Sequence, residues 1–215
     1  MTPNLARAVD PIFIHVLDLL EKIKTDERPS PEEERLRIRA LLDQAEAIIG
    51  GGAEWELSKY AITSWIDEML VDTPWSGQEW WANNVLEVEL FNTRLCSEQF
   101  FLKAQEAAQL SNRDALEVFY ICVVLGFRGL YHDPTIAEML ARPHGLPSDI
   151  ETWAKQTSMS IRLGQGRPAL PQPAGEVAGA PPLKARGMVV WPWVAAVVLA
   201  ACNLIVFSFK FSVGG

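Results

Sequence analysis

Carboxylates are the groups in this chain whose spacing could do chemistry. The histidines, His15, His132 and His144, show no His-x-x-x-His or His-Glu-x-x-His spacing, so no helix face offers two imidazoles to one metal ion. No Gly-x-Ser-x-Gly elbow, phosphate-cradling loop or Cys/His signature occurs. Cys96, Cys122 and Cys202 are odd in number and far apart, which fits free thiols in a reducing compartment better than a disulfide framework. The acidic groups are arranged differently. Asp67 and Glu68 are adjacent, and Asp72 lies four residues past Glu68. Like charges at that spacing cost a helix about 0.2–0.5 kcal/mol, which a binding role would explain. The alternative is a solvated face in which Asp67 or Glu68 caps a neighbouring element. Adjacent helical positions diverge by about 100°, so at most one of the pair is expected to point into a seam.

Glu117 stands alone among Ala115, Leu116, Val118, Phe119, Ile121, Cys122 and Val123, with Arg128 eleven residues on. On one helix the two would share a face about 16 Å apart, too far to pair. Each therefore needs a partner on another element, by structural pairing or by direct contact with another protein. His132-Asp133 reads as turn capping. Gly50-Gly51-Gly52 lacks a lysine at a phosphate-loop offset and reads as a helix terminator.

The elements that must position these groups are helices. Leu5, Ala8, Ile12, Val16, Leu19, Leu20 and Ile23 recur at three- and four-residue steps, with Pro11 requiring a helix start or a kink. Ser30-Pro31-Glu32-Glu33 is a start signal: an N-cap hydroxyl, proline at the first helical position and a capping-box glutamate. Leu36, Ile38, Leu41, Leu42, Ala45, Ile48 and Ile49 continue that helix to the triple glycine. Further helices are expected over 54–71 (burying Ile62, Trp65, Ile66 and Met69), 78–91, 94–109 and 115–129. The one over 115–129 is capped by Asn112 and is apolar enough all round to be central. Shorter helices are expected over 134–141 and 148–159. No period-2 alternation supports a strand, so the fold class is all-α, built as helical bundles.

Charge and hydropathy divide the 215 residues. Residues 1–163 carry a net charge of -11 and residues 164–215 a net +3. The overall pI near 5.0 argues against a nucleic-acid groove. Residues 164–187 hold five of the 14 prolines and five of the 14 glycines and read as a linker. Residues 187–209 contain no charge, long enough as a helix to cross a bilayer core of about 30 Å. Trp191 and Trp193 sit at its start as interfacial anchors, and Lys184 and Arg186 place its N-terminal side in the cytoplasm. The acidic residues among the first 30 leave no signal-peptide core. The organisation expected is a cytoplasmic helical domain (1–163), a linker (164–187), a transmembrane helix (188–209) and a short periplasmic tail (210–215). Within the span, Ala196, Ala200 and Asn203 share a face suited to helix–helix contact, with a second copy or with a partner's span. The shorter apolar run 118–127 has the length of a core helix.

Several strings together resemble the DotU/IcmH/TssL family. They are Tyr60-Ala61-Ile62-Thr63-Ser64-Trp65-Ile66-Asp67-Glu68, then Asp72-Thr73-Pro74-Trp75 followed by Trp80 or Trp81; Glu98-Gln99-Phe100-Phe101; Glu117-Val118-Phe119-Tyr120; and Leu125-Gly126-Phe127-Arg128-Gly129-Leu130-Tyr131. The resemblance covers residues 5–140 plus the single C-terminal span. It implies a tail-anchored inner-membrane component of a type VI secretion system, related to type IVB, whose two small helical bundles form a cytoplasmic hook. It also implies an IcmF/TssM-like membrane partner, baseplate subunits (TssK-like and TssE-like) and, indirectly, an outer-membrane lipoprotein. The family's paired acidic residues, in a cleft between bundles, correspond to Asp67 and Glu68. Asp72, Trp75, Glu117 and Arg128 join them as candidate partner-binding residues. Arg142-Pro143-His144-Gly145-Leu146-Pro147 interrupts the usual pattern before the last helix, and the short tail leaves no room for a peptidoglycan-binding domain. A scaffold is thus expected, with no catalytic residue, cofactor or metal. The rivals are a membrane-tethered metal-dependent hydrolase using Asp67, Glu68 and His132, and a tail-anchored adaptor unrelated to secretion.

Overall fold

Helix starts and stops fall where local turn chemistry puts them. The computed structural model describes residues 1–164 and 196–199. Helix α1 (Pro3–Lys24) runs through Pro11 without interruption; the carbonyl that Pro11 leaves unpaired belongs to exposed Arg7. Ser30 accepts the Glu33 N–H at 3.4 Å and opens α2 (Pro31–Ile49), which Gly50 closes in the left-handed region at φ 89°. Helix α3 (Ala53–Asp72) follows. The single segment expected over 78–91 is two helices, α4 (Gln78–Asn83) and α5 (Leu86–Phe91), broken at Asn84-Val85. Then come α6 (Cys96–Ala107), α7 (Asp114–Val124), α8 (Pro134–Ala141) and α9 (Ile150–Gly164). Asp133 caps α8 by accepting the Thr135 N–H at 2.9 Å. Among the described residues there is no strand.

Helix α7 stops five residues before the expected end at 129. Phe127 N–H reaches back to Cys122 O (3.0 Å) and Gly126 N–H to Val123 O (3.2 Å), the paired bonds of a Schellman motif with Gly126 at its positive-φ position. Gly126 has φ +118°, and a Cβ there would meet Met69 Sδ at 3.3 Å. Gly126→Ala is expected to cost about 2 kcal/mol of folding stability. Thermal unfolding should show this as a fall of about 4–8 °C; an unchanged midpoint would mean that the turn can be rebuilt without glycine.

The central helix is α3, not α7 as its apolar composition predicted. Helix α3 is buried without a break from Tyr60 to Asp67, two full turns, whereas α7 leaves Val124 63% exposed. Phe13 of α1 packs on Trp65 of α3, with ring centroids 5.1 Å apart. Phe100 stacks on Phe127 at 3.9 Å, and Phe101 meets Tyr131 and Trp153 edge-on at 4.9 and 5.2 Å. One hydrophobic core runs through these contacts, and residues 1–164 fall within one compact unit. The stripe expected on α2 is partly wrong, since Leu36 is 71% exposed.

Beyond this unit the described residues are 196–199, which are helical and exposed. Among the described residues no single helix is long and apolar enough to cross a membrane. The linker after Gly164 and the expected span 188–209 lie outside the described residues, apart from 196–199; so do Ala200 and Asn203.

Candidate functional site

Both members of the acidic pair are used by the fold, on adjoining faces of α3. Asp67 is 3% exposed. Its Oδ1 accepts Trp81 Nε1–H (3.0 Å) and Leu86 N–H (2.9 Å), and its Oδ2 accepts Glu87 N–H (2.8 Å). A carboxylate from α3 thereby satisfies two of the first N–H groups of α5 and holds the break between α4 and α5 in place. Burial pushes the Asp67 carboxyl up to about 6, against the pull of these donors and of the Arg35 guanidinium. Glu68 accepts Arg128 N–H at 2.5 Å and Gly129 N–H at 2.9 Å, tying α3 to the 3₁₀ turn Gly129–Tyr131. Burial raises its carboxyl too, with the Asp72 charge adding and the two N–H donors opposing. The expectation that at most one of the pair enters a seam fails because α3 is central and has a seam on more than one side.

A third carboxylate extends the arrangement. Glu87, on α5 and 2% exposed, accepts Tyr60 Oη–H (2.9 Å), Thr93 Oγ1–H, Leu95 N–H (3.1 Å) and Cys96 N–H (3.2 Å). Asp67 thus caps α5, and α5 carries the acid that holds the start of α6. Sequence reading missed Glu87. Its local signal was weak, one acid beside Glu89 in a short segment, because the groups it serves lie six to 27 residues away, beyond one helical turn.

These three acids and Asp72 line a cleft of about 270 Å³ whose apolar wall includes Val71 and Val85 and which Cys96 also lines. Arg94 is the lone base among its lining residues. Asp67 and Glu87 are buried on internal donors, so the cleft's acidic outer edge is exposed Asp72 with half-buried Glu68, which two backbone N–H groups hold in place.

The family model for the type VI secretion system protein DotU matches residues 4–212. The chain belongs to the DotU family. It is similar in structure to the cytoplasmic domain of TssL from Acinetobacter baumannii, with a TM-score of 0.60 at 25% identity, over 76% of this chain and 99% of that one. No curated protein matches it. The type VI secretion assignment and the all-α class expected from the sequence are therefore sound.

In this DotU chain the remaining sequence-derived residues do not gather at the cleft. Trp75 donates Nε1–H to Leu70 O at 2.9 Å and lies so close over Gly77 that a Cβ there would meet its Cη2 at 2.4 Å. It closes the turn between α3 and α4 and does not line the cleft. Glu117, at the start of α7, bonds the Met1 ammonium, while neighbouring Asp114 accepts Thr2 N–H at 2.8 Å. Arg128 lies beyond the end of α7, so it shares no helix face with Glu117. Its guanidinium folds back on the carbonyls of Val123 (3.4 Å) and Phe127 (3.3 Å), a cation at a helix C-terminus.

The metal set of the rival hydrolase, Asp67, Glu68 and His132, is not assembled, because Asp67 faces away toward Trp81. His132 instead stands with its Nδ1 3.6 Å from Asp72 Oδ2. The start of α2 approaches the far side of α4 and α5 through Arg35, which bonds Asn84 O and Glu89 (2.6 Å) and lies 6.0 Å from the Trp80 and Trp81 ring centres.

Proposed function

We propose that this DotU protein is the tail-anchored inner-membrane scaffold of a type VI secretion membrane complex. Residues 1–163 stand in the cytoplasm, 164–187 tether them, 188–209 span the membrane and 210–215 reach the periplasm. The helical domain binds an IcmF/TssM-like partner and recruits TssK-like and TssE-like baseplate subunits; the outer-membrane lipoprotein is reached indirectly. In the span, Ala196, Ala200 and Asn203 contact a partner's helix or a second copy. The observation that carries the recruitment role is the cleft beside α3. Its walls are organised by buried acids that spend themselves internally, and its rim keeps Glu68 and Asp72 toward the outside against a single arginine. Such a rim suits a basic segment of another protein, steered in by charge.

Asp72 is the residue to test, since its side chain is 46% exposed and it bonds no buried donor. Asp72→Lys in the full chain should lower co-purification of baseplate subunits from native membranes by about tenfold. Membrane recovery and thermal midpoint should stay unchanged. Undiminished recovery of baseplate subunits with Asp72→Lys would remove the cleft rim as the docking site.

A further inference from the structure

We propose that Glu68, Asp72 and His132 form a binding site for one divalent transition-metal cation of the zinc type, clipping the last turn of α3 to the segment that follows α7. One ligand atom from each residue lies within 4.8 Å of the other two. Ligands at zinc bond lengths of about 2.0–2.2 Å sit roughly 3.0–3.5 Å apart, a spacing the His132–Asp72 pair already approaches at 3.6 Å. That same 3.6 Å is too long for a hydrogen bond and leaves the two as a loose ion pair. Asp72 and His132 are 46% and 66% exposed and can rotate the remaining distance, while Glu68 is held.

Glu68 is prepared for the role by its surroundings. The N–H groups of Arg128 and Gly129 fix both of its oxygens, yet each oxygen keeps a lone pair for a metal. Outer-sphere donors of this kind are what orient ligating carboxylates in metal sites. The charge balance points the same way. Two carboxylates four residues apart repel each other along α3, and a dication between them turns that repulsion into attraction. One imidazole nitrogen with two carboxylate oxygens suits zinc and its neighbours, whereas magnesium and calcium prefer all-oxygen shells. The three protein ligands leave positions for water.

The same two acids form the outer rim of the cleft, so an occupied site would cancel the rim's negative charge. Metal loading would then release a basic partner, a consequence that rests on the function proposed above. Binding itself does not, and the test reads binding alone.

The full chain in detergent, stripped with chelator, is titrated with Zn2+ by calorimetry alongside His132→Ala, Asp72→Asn and a His144→Ala control. One zinc per wild-type chain is expected, with affinity at least about tenfold weaker in the first two variants and unchanged in the third. Stoichiometric zinc should also shift the His132 ring resonances. Absence of binding in the wild type, or wild-type affinity in His132→Ala and Asp72→Asn, would overturn the proposal. Unaltered baseplate recovery with Asp72→Lys would bear on the docking reading and leave the zinc result standing.

Discussion

Asp67→Ala should lower the thermal midpoint by about 5–15 °C at pH 7.5. The substitution removes an acceptor from three buried donors at once: the indole N–H of Trp81 and the backbone N–H groups of Leu86 and Glu87. Each buried donor left unpaired costs about 1–3 kcal/mol. Removing a charge that burial disfavours returns part of this, which leaves a net loss of about 2–4 kcal/mol. For a chain of this size each kcal/mol moves the midpoint by about 2–4 °C. A midpoint within about 2 °C of wild type would mean that water or a neighbouring group replaces the carboxylate. The result also decides how cleft variants are to be read. Reversing charge at Asp67 dismantles the junction of α4 and α5, so lost recruitment there reports folding, whereas Asp72→Lys reports the surface.

The cost of Asp67→Ala should depend on pH. The Asp67 carboxyl has a folded value near 6 against an ordinary 3.8, so between those values the folded chain holds a proton that the unfolded chain has released. Stability contributed by that proton is full below pH 3.8 and is lost as pH rises through 6. The alanine variant lacks the group and its slope. The gap between wild type and variant should therefore be wider at pH 4.5 than at pH 7.5, by about 2 kcal/mol. Parallel stability curves over that range would show that the three donors outweigh burial and keep the folded value near its ordinary one.

How much of this was legible in the sequence depended on range. Ser30 to Glu33, Gly50 and Asp133 to Thr135 act over three or four residues, and each was read correctly. Gly126 was not, because the apolar run continues through Phe127 to Leu130 and periodicity hid a stop that needs only one glycine at positive φ. The break at Asn84-Val85 was invisible for a related reason: no proline or glycine marks it, and it is held from outside by Asp67. Asp67 and Glu68 were singled out for their spacing and for a family string. Yet the expectation that at most one of them enters a seam missed that α3 has a seam on more than one side, where adjacent residues can both be held. Leu36 misled in the opposite sense, continuing an apolar stripe on a helix that leaves it in solvent. The assignment to type VI secretion came from motif strings, since no reactive constellation in the chain could have supplied it.

Glu87→Ala should destabilise by about 3–5 kcal/mol, the largest effect expected here, because four donors converge on this one carboxylate. Three of them, from Tyr60, Thr93 and Leu95, end on Oε1, and only Cys96 N–H ends on Oε2. Glu87→Gln keeps an oxygen at the crowded position and places its amide against a single N–H, so its cost should be only about 1–2 kcal/mol. That ordering separates an acceptor role from a requirement for negative charge: if charge were what mattered, the two variants would be equally damaged. A second readout follows from Cys96. Burial pushes its thiol up, and the charges of Glu87 and Asp67 push it further. Both variants lift one of those charges, but only Glu87→Ala also frees the start of α6, so alkylation of Cys96 at pH 8, followed by peptide mass spectrometry, should speed up most in Glu87→Ala and less in Glu87→Gln. Equal midpoints and equal alkylation in wild type and Glu87→Ala would show that α6 is held by its apolar face alone. The descent from Asp67 to α5, and from α5 through Glu87 to α6, would then lose its second step.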